Sequence, residues 1–255
     1  MRREVKILLG TMALGATVAW GDRIPAFVSD METFQIATVD VSGTHFLSVD
    51  DVMVAMGGPR GASVWRDVES WEDALREHPM IKAAVVERRV PDALVVSIEE
   101  RVPVALVPTP TIEPVDADGV RLALDPAEHR LDLPIVTLTR APAEGSRFLP
   151  REGRELVREV GRIHSVHESF LQRVSDVRWG PRRTLIAHWG EPGVDFLLPV
   201  GLPSIRFQEG VSALSEAVSV APGSPPSEID LRFADQVVVR RILPPTVSSL
   251  STIEP

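Results

Sequence analysis

The sequence contains no cysteine among its 255 residues. Disulfide bonds, thiol nucleophiles and cysteine-ligated zinc are therefore excluded. An excess of basic residues is also missing, because 27 lysines and arginines stand against 36 aspartates and glutamates, for a net charge of −9. Non-specific nucleic-acid binding needs a basic surface that displaces counterions, so this class of function is disfavoured.

Signatures of catalysis and of cofactor binding are missing as well. The glycine-rich stretch at 57–61 has neither the dinucleotide-binding spacing nor the Walker spacing. His164 and His167 have a spacing that can share a metal on a helix, but no third ligand is signalled. Residues 115–120 begin like a calcium loop and lack its later acidic ligands, which favours a tight turn. We therefore expect no enzymatic activity, no cofactor and no metal site.

A full-length apolar run of about 20 residues, the usual membrane span, is also not present. Residues Ile7–Gly21 form a shorter apolar run after a basic start. Three interpretations fit: a membrane span that continues into the far interface, a cleaved signal peptide, or a buried helix. The basic flank favours the span. We predict a short cytoplasmic tail at 1–6 and an anchor with its juxtamembrane segment at 7–28, with the rest of the chain outside the cytoplasm.

Two apolar strands around a sharp turn form the clearest pattern that is present, at His78–Leu106. Val90, Pro91 and Asp92 supply the turn, because proline presets φ and aspartate can hydrogen-bond to its own backbone. This β-hairpin needs other elements to cover its apolar face.

The preceding stretch predicts that cover. Phe34–Val41 alternates like a strand, and Ser48 with Asp51 approximates a capping box before a short helix. A second helix is predicted from Asp67, and Pro79 ends it. The order strand, helix, helix, strand, strand places two helices on one face of a small sheet. This is the arrangement of a POTRA domain, which we predict at 34–106.

A second, β-rich domain is predicted at 107–243. Its two helices are expected at Pro150–Leu171 and Ser204–Val218, from their apolar spacing. Strands are expected at 174–179, 183–189 and 194–198, and in a last β segment at Glu228–Leu243. Residues 244–255 are predicted to be a disordered tail.

Three motifs in these segments resemble the FtsQ/DivIB family of cell-division proteins. The first is F-x-I-x-x-V-x-V-x-G at Phe34–Gly43, and the second is the long pattern HP-x-I-x-x-A-x-V-x-R-x-x-P at the start of His78–Ala105. The third is the I/V-D-L-R signature at Ile229–Arg232. The resemblance covers almost the whole chain. It implies an α+β fold with an N-terminal transmembrane helix, a β-α-α-β-β POTRA domain, and a mixed β-rich domain with two helices.

The resemblance also implies a function. It indicates a non-enzymatic scaffold of the division septum, held in the inner membrane with its N-terminus in the cytoplasm. Such a protein would bind the bitopic proteins FtsB and FtsL, and through them influence septal peptidoglycan synthesis. In the family, the partner contact lies on the last strand and just beyond the I/V-D-L-R motif. By position, the expected partner-binding residues are Phe233, Asp235, Gln236, Val237, Val238, Val239, Arg240 and Arg241.

We predict that a partner segment pairs with the edge Asp235–Leu243, since a sheet edge presents unpaired N–H and C=O groups. A proline at Val238 is expected to abolish this pairing and to leave the fold intact. Arg240 and Arg241 could meet acidic residues of the partner or discourage aggregation of the edge. The alternative function is that of a POTRA-containing accessory factor in outer-membrane protein assembly or secretion. The two helices that are predicted after the POTRA region disfavour this alternative.

Overall fold

The structure is a computed structural model that describes residues 31–109 and 111–241. It divides into two compact units, and the division falls between Arg101 and Val102. The boundary expected at 106 differs from this division, because residue 106 lies within a strand of the second unit. The predicted segments 1–6, 7–28 and 244–255, together with Leu243, lie outside the described residues. Among the described helices, none combines the length and the hydrophobicity of a membrane span.

The first unit confirms the predicted order of strand, helix, helix, strand, strand. After a 3-10 turn at Glu32–Phe34, its elements are β1 (Thr38–Ser42), α1 (Val49–Ala55), α2 (Val68–Glu77), β2 (Ile81–Arg89) and β3 (Ala93–Glu100). The sheet order is β1-β3-β2, with β1 parallel and β2 antiparallel to β3. The first strand is shorter than the predicted Phe34–Val41, since the chain there begins with the 3-10 turn.

Local sequence signals explain both helices of this unit. The Ser48 hydroxyl accepts from the Asp51 N–H at 3.2 Å, and Asp51 accepts from the Ser48 N–H at 2.9 Å, so the predicted capping box is present. Asp67 caps α2. Trp71 and Leu75 of α2 are buried in the core that covers the apolar face of the β2–β3 hairpin.

The second unit contains one eight-stranded sheet and two helices. Its elements are β4 (Pro103–Thr109), β5 (Thr111–Asp116), β6 (Ile135–Thr137), α3 (Arg151–Leu171), β7 (Val174–Trp179), a 3-10 turn at Pro181–Arg183, β8 (Leu185–Trp189), β9 (Val194–Leu198), α4 (Ser204–Val220), β10 (Glu228–Asp230) and β11 (Val238–Arg240). The sheet order is β11-β10-β9-β8-β7-β6-β4-β5. Both helices contribute apolar side chains to one core with the sheet, which leaves β11 and β5 as its outer strands.

The last part of this unit differs from the continuous β segment predicted at Glu228–Leu243. β10 ends at Asp230, and the chain turns through residues 231–237 before it returns as the antiparallel β11. β10 in turn lies parallel to β9. A turn therefore interrupts the predicted alternation of apolar residues along the segment. This turn is held in place by a side chain of a helix that is distant in the sequence.

Candidate partner-binding edge

β11 forms one end of the eight-stranded sheet and pairs with β10 through Val238 and Asp230, Val239 and Ile229, and Arg240 and Glu228. The side chain of Val239 packs against the core on the same face as the buried Ile229. The opposite face carries Val238 and Arg240, since side chains alternate along a strand.

The backbone of β11 can be oriented from one hydrogen bond. The Ser227 N–H donates to the Arg240 carbonyl at 2.9 Å, so the backbone polar groups of Arg240 point toward β10. Because this direction reverses at each residue of an antiparallel strand, those of Val238 also point toward β10 and those of Val239 point away. Val239 therefore presents the outward N–H and C=O groups of this edge.

The turn before β11 is held by two arginines. The Arg232 guanidinium donates to both carboxylate oxygens of Asp230, at 2.8 and 2.6 Å. Arg206 of α4 is buried, and its guanidinium donates to the carbonyls of Phe233 and Gln236 at 2.7 and 2.8 Å. Both contacts fix the backbone of the turn, so the edge is presented in one conformation at little further entropic cost.

The Asp230–Arg232 pair also has an electrostatic consequence. The side chain of Asp230 is 0% exposed, and the hydrogen bond from Arg232 lowers its pKa below the ordinary aspartate range despite the cost of burial. The same bond raises the pKa of Arg232. The Asp-x-Arg part of the signature motif is therefore an ion pair on one face of the chain, and Ile229 and Leu231 enter the core on the other.

The structure brings the predicted site residues to this hairpin in different environments. Phe233, Asp235 and Gln236 are exposed in the turn, and Val237 packs partly against the core. The two arginines already have intramolecular partners. Arg240 pairs with Glu228 and lies 3.5 Å from Asp230, and Arg241 donates to the carbonyls of Ser224 and Ala217.

A cavity of about 570 Å³ lies beside the exposed Phe233 and contains residues that the sequence analysis missed. Arg182, Arg183 and Arg232 line it together with Phe233, and no carboxylate is among its described lining residues. Arg183 is paired with Glu155, whereas Arg182 has no ion-pair partner in the described part of the chain. Because Arg232 is paired with Asp230, Arg182 supplies the one guanidinium of the described lining that is free to bind an anionic group. The basic pair after the Gly180–Pro181 turn was the available signal, but its closeness to Phe233 arises only in the folded sheet.

Metal ligands are not gathered in the described residues: no three histidine, aspartate or glutamate side chains there could hold an ion. His164 and His167 lie near the C-terminal end of α3. The His167 ring packs near Phe170 and Phe207, with ring centroids 6.3 and 5.6 Å away. This histidine thus has an aromatic environment.

Comparisons with known proteins found one family model and several relatives that match this chain. The model of the POTRA domain, FtsQ-type, matches residues 34–101. A cell division protein FtsQ from Myxococcus fulvus is 27% identical over 69% of this chain and 63% of its own length. One from Geotalea daltonii is 22% identical over 95% of this chain and 88% of its own length.

A third FtsQ protein, from Streptomyces collinus, is 36% identical over 51% of this chain and 50% of its own length. The chain therefore spans between half and nine-tenths of the length of these relatives. A solved extracytoplasmic domain of the cell division protein DivIB from Geobacillus stearothermophilus aligns with 49% of this chain and 96% of that chain, at 15% identity and a TM-score of 0.29.

Proposed function

Because this chain belongs to the FtsQ/DivIB family of cell-division proteins, we propose that it is a non-enzymatic scaffold of the bacterial division machinery. It acts at the division septum and binds other division proteins. Its partners are bitopic proteins of the FtsB and FtsL type, which it binds outside the cytoplasm. Through this binding it couples the assembly of division proteins to septal peptidoglycan synthesis. The observation that supports this proposal best is the edge of β11, whose outward backbone groups at Val239 have no hydrogen-bond partner among the described residues.

Strand pairing is the proposed mode of binding. A partner segment adds to the sheet beside β11, and its main chain exchanges hydrogen bonds with the outward backbone groups of Val239. The backbone bonds supply affinity, and the side chains that alternate along the added strand supply selectivity. Nothing in this mechanism needs a nucleophile or a metal.

The arginine-lined cavity beside Phe233 supplies a second element of selectivity. Arg182 is free of intramolecular ion pairs in the described residues, and an arginine can bind a carboxylate through two parallel hydrogen bonds. We therefore expect the partner segment to carry an acidic residue next to the strand that pairs with β11. A turn fixed by Arg206 keeps Phe233 at the border of this cavity.

Two proline variants test strand pairing in a co-purification experiment with the FtsB- and FtsL-type proteins of the same cell. Val239→Pro removes an outward N–H and keeps the β10–β11 hydrogen bonds, so the fold should persist and the partner should be lost. Val238→Pro removes an N–H that points toward β10, so it should disrupt the hairpin itself. The expectation that a proline at Val238 spares the fold is thus revised, and Val239 is the appropriate position.

Thermal unfolding checks that Val239→Pro remains folded, and Val239→Ala is the matched control that keeps the N–H group. Partner recovery that is equal for Val239→Pro and Val239→Ala would refute strand pairing at this edge. The broader role is tested separately by depletion of the protein and microscopy. Filamentous cells without septa are expected, and normal septation would contradict a role in division.

A further inference from the structure

Phe148 is an exposed aromatic residue that the proposed function does not use. In the part of the chain that the structure describes, two phenylalanines are strongly exposed: Phe233 at 42% and Phe148 at 47%. Phe233 borders the proposed partner site. Exposed aromatic side chains are costly in water and are enriched, with arginine, at the centres of protein interfaces. A single exposed apolar side chain is ordinary on a protein surface, so the groups around Phe148 decide whether it belongs to a contact surface.

The loop that carries Phe148 is held firmly in place. The Arg121 N–H donates to the Arg147 carbonyl at 2.9 Å, and the Arg121 guanidinium donates to the Ser146 carbonyl at 2.8 Å. The Phe148 N–H donates to the Ser146 hydroxyl at 3.2 Å. A side chain on such a loop loses little freedom on binding, which favours affinity.

Two arginines flank this side chain at a cavity of about 460 Å³. Arg140 and Arg154 line the cavity with Phe148, and its described lining includes no carboxylate. Both arginines are exposed, and the ion pairs of the described residues around them join Arg151 and Arg183 to Glu155 and include neither Arg140 nor Arg154. The turn at Gly119 packs closely against Arg154. A Cβ atom added to Gly119 would lie only 2.5 Å from the Arg154 Cγ, so the glycine leaves the room in which this side chain lies. Two guanidinium groups without an ion-pair partner in the described residues thus border an apolar wall, and Arg140 also lines the neighbouring cavity that contains Glu152 and Glu155.

This cavity is distinct from the one beside Phe233. Between them lies a cavity that contains Glu152 and Glu155, and Glu155 pairs with both Arg151 and Arg183. The positive charge there is largely neutralised. Arg182 at the cavity beside Phe233 and Arg154 at the cavity beside Phe148 line separate cavities, whereas Arg140 lines both the latter cavity and the acidic one.

We propose that the cavity of Arg140, Phe148 and Arg154 is a docking site for a peptide segment of a partner protein that carries a carboxylate next to an apolar side chain. The guanidinium groups hold the carboxylate, and the phenyl ring contacts the apolar neighbour. Such a segment fits this cavity because its carboxylate complements the cationic border and its apolar side chain complements the apolar border. This contact needs no strand pairing, so it goes beyond the proposed function.

A binding titration of the full chain tests this site with a short fluorescent peptide of alternating glutamate and leucine. Saturable binding is expected by anisotropy. Arg154→Ala should weaken it by about fivefold, the upper range for removal of one exposed charge contact, and Phe148→Ala should weaken it by a similar factor. Peptides of alternating lysine and leucine, or of glutamate and glycine, should not bind, because each lacks one of the two required groups.

Matched variants separate this site from the β11 edge and from general effects. Arg158→Ala removes an exposed arginine one helical turn further along α3 and should leave binding unchanged. Val239→Pro should also leave it unchanged, whatever becomes of strand pairing. Phe148→Leu keeps an apolar side chain and a folded loop, so it should retain part of the affinity that Phe148→Ala loses.

Three results would overturn the proposal. One is peptide binding that is insensitive to Arg154→Ala and Phe148→Ala. The second is peptide binding that Val239→Pro abolishes, which would assign the peptide to the β11 edge. The third is a protein that does not bind the peptide but binds phosphatidylglycerol vesicles in a way that depends on Arg154. This result would assign the cavity to an anionic lipid surface.

Discussion

The outer strands β2 of the first unit and β11 of the second unit differ in how their free backbone groups are covered. The Val86 N–H of β2 donates to the Glu72 carboxylate at 2.9 Å, so it points away from β3 and is satisfied by a side chain of α2. Arg88 of the same strand donates to two carbonyls of the loop before α2. At β11, the outward N–H of Val239 has no hydrogen-bond partner in the part of the chain that the structure describes.

This difference separates a protected edge from an available one. Unprotected edges invite pairing with other chains, and proteins often cover them with charged side chains. Glu72 and Arg88 provide such cover in the first unit. The second unit instead fixes a turn next to its edge, and none of its described residues covers the edge itself. Strand pairing is therefore proposed for β11, and four changes should test the contrast.

The largest effect is expected at Asp230, which holds the hairpin that carries the open edge. Asp230→Ala leaves Arg232 without its buried partner, and loss of one member of a buried ion pair typically costs about 3–5 kcal/mol. Because Arg232 reaches water and keeps its charge solvated, we expect the free energy of unfolding of the second unit to fall by about 1.5–3 kcal/mol, the range for hydrogen bonds to a charged group. Hydrogen exchange read separately over the two units is the measurement.

Asp235→Ala is the control for this change, since Asp235 lies exposed in the same turn. It should leave exchange in both units near that of the unmodified protein. Equal protection of β10 and β11 in Asp230→Ala and Asp235→Ala would mean that the ion pair does not hold the hairpin.

Three carboxylates of the second unit, Asp230, Glu113 and Glu155, have pKa values below the ordinary range, and acid should weaken this unit mainly through the first two, because Glu155 pairs with arginines at the solvent-exposed surface. An arginine donates a hydrogen bond to each of them, Asp230 and Glu113. A carboxyl whose folded pKa is lowered stabilises the fold fully above its unfolded pKa, about 4, and this stability disappears as the pH falls through the folded value. The free energy of unfolding of the second unit should therefore decline from about pH 4 downward.

Asp230→Asn and Glu113→Gln should each flatten this decline, as measured by urea unfolding at a series of acidic pH values. Asp51 of the first unit also has a lowered pKa, from its hydrogen bonds with Ser48, but it is fully exposed and contributes less. A decline that keeps its slope in both variants would place the acid sensitivity elsewhere.

A smaller effect is expected when the cover of β2 is removed. Glu72→Ala frees the Val86 N–H at the edge, and we expect a loss of about 1 kcal/mol, as for one hydrogen bond exposed to water. The opened edge should also increase self-association, measured by light scattering. Asp73→Ala is the matched control, because Asp73 also pairs with Arg76 but does not touch β2. Equal scattering from both variants would contradict a protective role for Glu72.

The parts of the fold that the sequence predicts are those with local signals. Ser48 and Asp51 lie three residues apart and form the expected capping box. Leu185, Ala187 and Trp189 alternate along β8 and are buried together. In each case the interacting groups are neighbours in sequence, and the periodicity of a helix or a strand determines which side they face.

The break between β10 and β11 could not be predicted in this way. The buried Arg206 determines the turn by donating to the carbonyls of Phe233 and Gln236, which are 27 and 30 residues away in sequence. An arginine on an amphipathic helix ordinarily predicts a solvent-exposed side chain. The cavity that joins Arg182 to Phe233 depends on the same long-range packing. The position of the I/V-D-L-R motif predicted where the edge strand lies in the sequence. The orientation of the backbone of that strand became known only from the structure.

The smallest effect is expected at Arg240, and it decides between the two roles considered for that residue. Its side chain is 50% exposed and already pairs with Glu228, and an exposed pair of this kind contributes about 0.2–1 kcal/mol. Arg240→Ala should therefore lower stability by less than about 1 kcal/mol and change partner affinity by less than about fivefold. Arg182→Ala, at an arginine without an ion-pair partner in the described residues, should weaken partner binding more. If Arg240→Ala instead weakens binding more than Arg182→Ala, with Glu228→Ala neutral, then Arg240 exchanges its internal partner for an acidic residue of the bound segment.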